Sequence, residues 1–394
     1  MLLQAEDVSL LTSKPVQDFI LKSISNKTDL LKVSEILSKS YTIEERKSIM
    51  DYMLLVSKIQ KKFETQTLLL CDTLALEQST AKDIGAWKQS LWPKEGRVND
   101  LCCGMGGDSF FIPQSLSVTG VDLDPLRLEM YRYNTKQFGK DYDTALADVC
   151  TFKNDADYFT IDPARRENVE ENQRCFTHLS PSIAEVIELA SKYKGGMAKI
   201  PPGYPLDELP NDVEVLYLGK SKDCRECLIL FGSLRKNPGK IRAVMIEKDN
   251  SFTEWISEKE RASLYQDLPI APLSDYIIEP APLLVRSHLF VQIAEKNNLF
   301  PFSQGIAYLS GSTPLEEKGF ANFKVLETCP ITTSTVRQML KKYSIGQLTL
   351  KKRGVEVIPE NEIKRLAPKG KNEGTLFYTR LAGEKVAILT KRLY

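Results

Sequence analysis

The spacing of apolar positions along this chain changes near residue 95. Before it, apolar residues recur at helical intervals. The clearest run extends from Thr42 to about Lys62, where Thr42 and Glu45 form an S/T-x-x-E capping pair and Ile49, Met50, Met53 and Leu54 make one apolar face. A further helix is expected from Thr80 to Leu91, stopping at Trp92-Pro93. From Gly96 short apolar runs alternate with amphipathic stretches. Strands are expected at Val98–Cys102, Val118–Val121, Ala145–Ala147, Tyr158–Ile161 and Met197–Ile200, with helices from Pro125 to about Phe138 and over Ile183–Lys192. Two later runs, Val213–Leu218 and Cys227–Phe231, read as a hairpin. Strands spaced by helices predict an α/β fold, a parallel sheet covered on both faces. Ligands of such sheets bind at the carboxyl ends of the strands, so the residues just after each strand matter most.

Beyond Lys240 the pattern becomes less regular. A strand at Ala243–Ile246 precedes Trp255, and a stretch dotted with Pro269, Pro272, Pro280 and Pro282 precedes a helix around Leu289–Lys296, which together read as a small α+β module. After Phe323 comes a helix with Val336, Met339, Leu340 and Tyr343 on one face, then strands at Gln347–Leu350 and Val355–Ile358. A final hairpin, Thr375–Arg380 with Lys385–Thr390, turns at Ala382-Gly383.

Charge adds to this picture only when the chain is divided. The total is +1, yet the segment from Lys324 to Tyr394 holds 15 Lys+Arg against 6 Asp+Glu, a balance of +9 that leaves −8 on the remainder. A basic C-terminal module on an acidic body points to a polyanion partner, most often nucleic acid. Hydrophobic residues at 42% and charged residues at 27% describe a globular protein with real cores rather than a disordered chain. No apolar run is long enough for a membrane span, and Met1 to Lys14 lacks the basic-then-apolar pattern of a secretory leader. Eight cysteines without framework spacing fit a reducing cytoplasm. With two histidines, His178 and His288, and one lone C-x-x-C at Cys224 and Cys227, no metal site is expected.

The residues that carry chemistry follow the strands. Asp100-Leu101-Cys102-Cys103-Gly104-Met105-Gly106-Gly107-Asp108 joins a strand to a helical stretch, and its glycines let backbone approach a ligand where a Cβ would intervene. A dinucleotide turn of the G-x-G-x-x-G type is a competitor, although Ser109 stands at its last glycine position. Asp122 ends the second strand, eighteen residues after Gly104, where a carboxylate accepts from both ribose hydroxyls of an adenosine-containing cofactor. Asp148 follows the third strand, and Asp162-Pro163-Ala164-Arg165-Arg166 follows the fourth.

From Gly96 to Leu234 this set resembles the class I S-adenosylmethionine-dependent methyltransferases. The resemblance implies a cofactor site of Gly104, Gly106 and Gly107 in the turn, Asp100 near the methionine part, Asp122 on the ribose, Leu123 against adenine and Asp148 at its amino edge. It also implies that Asp162 and Pro163 are the catalytic pair that orients an acceptor nitrogen. The family's second proline and aromatic ring are replaced here by Ala164 and Arg165. Arg165 and Arg166 can instead stack on a base or hold a phosphate, or form structural ion pairs. Over nearly the whole chain, Leu76-Glu77-Gln78-Ser79-Thr80, the Asp-Pro-Ala-Arg-Arg sequence and Lys351-Lys352-Arg353-Gly354-Val355 resemble a bacterial group of methyltransferases with a ferredoxin-like insert and a C-terminal THUMP-like domain. The resemblance implies four parts: a helical domain over 1–95, a Rossmann-like methyltransferase domain over 96–236, a ferredoxin-like domain over 237–322 and a basic THUMP-like domain over 323–394. It implies S-adenosylmethionine as cofactor and RNA, tRNA or rRNA, as partner, with Lys351, Lys352 and Arg353 on the RNA. An NAD(P)-dependent oxidoreductase and a non-catalytic RNA-binding protein remain the alternatives.

Overall fold

The computed structural model describes residues 3–153, 155–165, 179–221, 223–261 and 268–393, with the side chain of Arg165 left undescribed. The chain forms two compact units: residues 1–216 with 226–238, and residues 217–225 with 239–394.

In the first unit the strands are β1 (Arg97–Leu101), β2 (Ser117–Asp122), β3 (Asp143–Leu146), β4 (Tyr158–Ile161) and β5 (Gly195–Ile200), followed by the hairpin of β6 (Glu214–Lys220) and β7 (Asp223–Gly232). Their order across the sheet is β6-β7-β5-β4-β1-β2-β3. β1 through β5 pair in parallel, whereas β7 runs antiparallel to β5. The sheet is therefore mixed rather than wholly parallel, because the hairpin folds its second strand back between the first and the rest. Division of the two units passes through that hairpin, whose tip, residues 217–225, belongs to the second.

The register sets the site. Leu101 stands opposite both Val121 and Ile161, and Ile161 opposite Ala198. The next residue of each strand then falls in one row along the carboxyl edge: Asp122, Cys102, Asp162 and Lys199. With strands about 4.8 Å apart, the backbones of Asp122 and Asp162 stand about 10 Å from one another across the end of β1.

The helix α1 (Ile43–Phe63) begins with the expected capping pair, Thr42 Oγ1 accepting from Glu45 N at 3.2 Å and Glu45 Oε2 accepting from Thr42 N at 2.8 Å. Its apolar face does not close a core by itself. Val56, Ile59 and Phe63 share one buried cluster with Met105, Phe110 and Met130 of the sheet region. The helix expected over Thr80–Leu91 is shorter, α2 (Lys82–Lys88), and ends in one 3-10 turn, Gln89–Leu91. Helices α3 (Pro125–Gln137) and α4 (Ile183–Ala190) follow their predicted starts.

In the second unit β8 (Ile241–Ile246) pairs antiparallel with β9 (Phe252–Ile256). A seven-stranded sheet comprises β10 (Tyr276–Pro280), β11 (Phe300–Pro301), β12 (Leu309–Gly311), β13 (Phe320–Pro330), β14 (Ile345–Lys352), β15 (Asn372–Leu381) and β16 (Glu384–Arg392), in the order β11-β12-β10-β13-β16-β15-β14. The terminal hairpin turns on Ala382 and Gly383, both with positive φ (49° and 86°), the backbone of a two-residue turn whose twist matches the strands. Val355–Ile358, expected as a strand, is irregular and leads into helix α6 (Pro359–Leu366), which follows α5 (Thr333–Lys342) in this unit. Pro359 at the first helical position starts α6, and Val355 and Val357 pack on the core as single anchors rather than as one strand face.

One side chain ties the glycine turn to the preceding segment. Buried Asn134 accepts from Leu70 N at 2.7 Å and donates to Leu70 O at 2.8 Å and Met105 O at 3.0 Å. Asn134→Ala leaves these buried backbone groups without that partner. The expected loss is about 2–4 kcal/mol of unfolding free energy, read from urea denaturation.

Candidate active site

The glycine turn is built by backbone rather than side chains. Cys102, Gly104 and Gly106 have positive φ (57°, 52° and 93°). The three glycines are not equivalent. A Cβ on Gly106 would meet Phe110 at 3.0 Å, and one on Gly107 would meet the Cβ of Ser79 at 2.8 Å, so these two are demanded by packing. A Cβ on Gly104 would meet nothing within 4 Å. Gly104 is thus the member of the turn that faces open space.

Asp122 shapes this turn. Its Oδ2 accepts from Gly104 N at 2.9 Å and its Oδ1 from Asp124 N at 3.0 Å, leaving further lone pairs on both oxygens. Leu123 beside it is exposed. Asp148 is exposed as well and accepts from Cys150 N at 2.9 Å. Asp100 lies elsewhere: it is buried beneath the turn, where the Ser109 hydroxyl donates to its Oδ2 at 2.6 Å and itself lies 2.7 Å from the Tyr131 hydroxyl. Burial first, and then the nearby Asp108 charge, push the Asp100 carboxyl up to about 8. Its surroundings are those of a structural acid under the loop.

Asp162 enters a network that the spacing of the sequence did not reveal. Lys199, one row along on β5, places Nζ 2.9 Å from Asp162 Oδ2, 3.1 Å from Asp108 Oδ2 and 3.8 Å from Glu226. Lys88, from α2, lies 2.5 Å from Asp108 Oδ1 and 3.2 Å from Glu226 Oε2. Thr80 Oγ1 is 2.8 Å from an oxygen of each of those two carboxylates. Lys88 is 5% exposed and Lys199 13%, whereas Asp162 is 40% exposed and forms the open end of the group. The two ammonium and three carboxylate groups sum to −1. Although burial opposes it, the surrounding carboxylates hold both lysines above the ordinary lysine range, and the two lysines hold Asp108 well below the carboxylate range. Burial raises Asp162, with Lys199 opposing. Removing one member of such a network typically costs about 3–5 kcal/mol, because its partner is left buried and uncompensated.

Pro163 is buried beside Asp162. Arg166 and the side chain of Arg165 lie outside the described residues. In the second unit, the three consecutive cations have partners within the protein. Lys351 Nζ is 2.6 Å from Glu279, Arg353 reaches the same carboxylate at 3.9 Å, stacks 4.4 Å over the Tyr308 ring and donates to Ala307 O at 2.6 Å. Lys352 donates to Val357 O. Lys351 and Arg353 line a cavity of about 810 Å3 that Lys248, Lys318 and Arg392 also border.

The chain is similar in sequence and in fold to several known proteins. Residues 321–392 match the family described as THUMP domain-like. Over 327 residues, 80% of this chain, the sequence is 27% identical to two Mycobacterium tuberculosis proteins, from strains CDC 1551 / Oshkosh and ATCC 25618 / H37Rv; the match covers 86% of each, and both are named uncharacterised S-adenosylmethionine-dependent methyltransferases. A crystal structure of a candidate methyltransferase from Porphyromonas gingivalis W83 shares the fold, with a TM-score of 0.75 over 97% of this chain and 99% of that one, at 18% identity. The first unit thus has the fold of class I methyltransferases, and four-fifths of the sequence is similar to proteins named S-adenosylmethionine-dependent methyltransferases. This chain carries a THUMP-like module at its C-terminus.

The state of Asp100 has a measurable consequence. A carboxyl whose folded value is raised binds its proton more tightly in the folded chain, so stability is lost as pH rises from about 4 toward about 8. Asp100→Asn keeps an acceptor for Ser109 but removes that titration. In urea denaturation, the variant should gain on the wild type between pH 5 and pH 8.5, and an equal response of both chains to pH would contradict the assignment.

Proposed function

We propose that this protein methylates a base nitrogen of an RNA, tRNA or rRNA, with the THUMP-like module holding the RNA backbone. The observation that supports the reading most is the row at the carboxyl edge, where Asp122 and Asp162 flank the glycine turn from two sides. The residues present suit the cofactor: open space at Gly104, exposed Leu123, and carboxylates at Asp122 and Asp148 that accept from hydroxyl and amino groups. When bound, S-adenosylmethionine supplies a methyl group activated by its positive sulfur.

Gly104, with Gly106 and Gly107 shaping the turn, lets the backbone approach the methionine part. Asp122 accepts from the ribose hydroxyls, Leu123 covers the adenine ring and Asp148 accepts from its amino group. Asp162 accepts an N–H of the target base and aims the nitrogen lone pair, with Pro163 fixing the backbone beside it. The sulfonium is already a strong leaving group, so most of the acceleration comes from alignment rather than from a strong base. An ionised Asp162 also takes the proton released as the nitrogen is methylated.

Transfer is tested by incubating the protein with labelled S-adenosylmethionine and total RNA, followed by nucleoside mass spectrometry; no labelled nucleoside in any RNA would end the RNA reading. Asp122→Ala should weaken S-adenosylhomocysteine binding by about 2–4 kcal/mol in calorimetry, through loss of charge-assisted hydrogen bonds. Unchanged affinity in the folded variant would put the ribose elsewhere.

RNA binding by the second unit carries its own signature. One carboxylate, Glu279, serves both Lys351 and Arg353, and with Lys248, Lys318 and Arg392 the cations lining the cavity outnumber its acids, Glu247, Asp249 and Glu279. If these cations neutralise phosphates, log affinity falls by about 0.7–0.9 per contact for each log unit of salt. Replacing Lys351, Lys352 and Arg353 with Ala should flatten that slope and weaken many RNAs alike while S-adenosylhomocysteine affinity stays the same. A salt-independent interaction, or a triple variant with the parent slope, would contradict it.

A further inference from the structure

We propose that Lys199 is the positioning residue for Asp162: it clamps one carboxylate oxygen so that the other meets the acceptor as an oriented, ionised hydrogen-bond acceptor. The inference deepens the reading of Asp162 as the acceptor-facing group and rests on it.

The argument is geometric. The register that pairs Ile161 with Ala198 sets Asp162 beside Lys199, and the one that pairs Ile200 with Cys227 brings Glu226 to the same edge. Three carboxylates surround the Lys199 ammonium, at 2.9, 3.1 and 3.8 Å, so it has little freedom to swing aside. Its anchor is itself fixed, since Asp108 is held by Lys88 at 2.5 Å and Thr80 at 2.8 Å. Of the five charged groups Asp162 is the most exposed, and its Oδ2 is the atom that Lys199 engages. A lone carboxylate at a strand end would rotate and, crowded by two other acids, would take up a proton and become a donor, the wrong polarity for an amine. Lys199 prevents both.

The groups that face Asp162 are Lys199 on β5, Asp108 at the end of the glycine turn, Glu226 on β7 and the Cys102 thiol at the end of β1. Burial, Asp108 and Glu226 push its carboxyl up, and Lys199 pulls it down. Two substitutions therefore act in opposite directions. In Lys199→Met, the Asp162 titration, followed by 13C NMR on the full-length protein and assigned with Asp162→Asn, should move upward by about one pH unit or more. In Glu226→Gln it should move downward, and Lys199→Arg should stay near the wild type. S-adenosylhomocysteine affinity should change less than about threefold in each variant. A titration that ignores Lys199→Met, or moves upward in Glu226→Gln, overturns the proposal, and the second variant decides alone if the first fails to fold. Failure of the parent reading looks different: Asp162 would respond as described, yet Asp162→Asn would retain full turnover.

Discussion

Two ammonium groups and three carboxylates meet where the strands of the first unit end. Burying four of these charges, with Asp162 at the open end, is tolerated because each is paired within 3.2 Å, with Lys199 and Lys88 each bridging carboxylates from different elements. The arrangement joins five segments: α2 through Lys88, the glycine turn through Asp108, the end of β4 through Asp162, β5 through Lys199 and β7 through Glu226. Removing one partner would leave a desolvated charge, so the network constrains its neighbours strongly. The turn, the strand ends and α2 are thereby held in one relation, and a site that works by alignment needs that rigidity.

The second unit handles charge differently. Most of the cations from Lys324 to Arg392 are exposed, while Lys351 and Arg353 are half-buried. Lys351 and Arg353 are drawn inward by Glu279, and Arg353 is flattened against Tyr308, so the cations at the end of β14 are preorganised. Preorganised cations lose less side-chain freedom on meeting an anion than free lysines do. The positive surplus read from composition therefore includes both exposed cations and these two, which tertiary contacts hold in place.

What could be read from the sequence was local. The glycine turn, the carboxylates after successive strands and the Thr42–Glu45 cap each depend on residues within one loop or one helical turn. The network did not announce itself, because Thr80 and Glu226 are 146 positions apart and Lys88 and Glu226 138, and only packing of α2 and the residues before it against the strand ends brings them together. Glu226 lies inside the C-x-x-C pair, where the cysteines drew the attention that belonged to the acid between them. Lys199 looked like an ordinary residue near the end of an apolar strand. Asp100 shows the converse. Its place as the leading acid of the turn is legible in the motif, whereas its burial and the hydrogen bond from Ser109 depend on the packing around it. Val355 and Val357 alternate as a strand would, but Pro359 and the helix behind it determine that backbone.

On the proposed function, the row Asp122–Cys102–Asp162–Lys199 is one site, with cofactor at one end and acceptor at the other. A crystal structure of the protein with S-adenosylhomocysteine tests it most directly. The account predicts ribose hydroxyls on Asp122, the turn at Gly104 against the ligand, and the sulfur end directed toward Asp162 with Lys199 still on its Oδ2. A ligand whose sulfur points away from Asp162, or a carboxylate that has left Lys199 to turn into the protein, would contradict it.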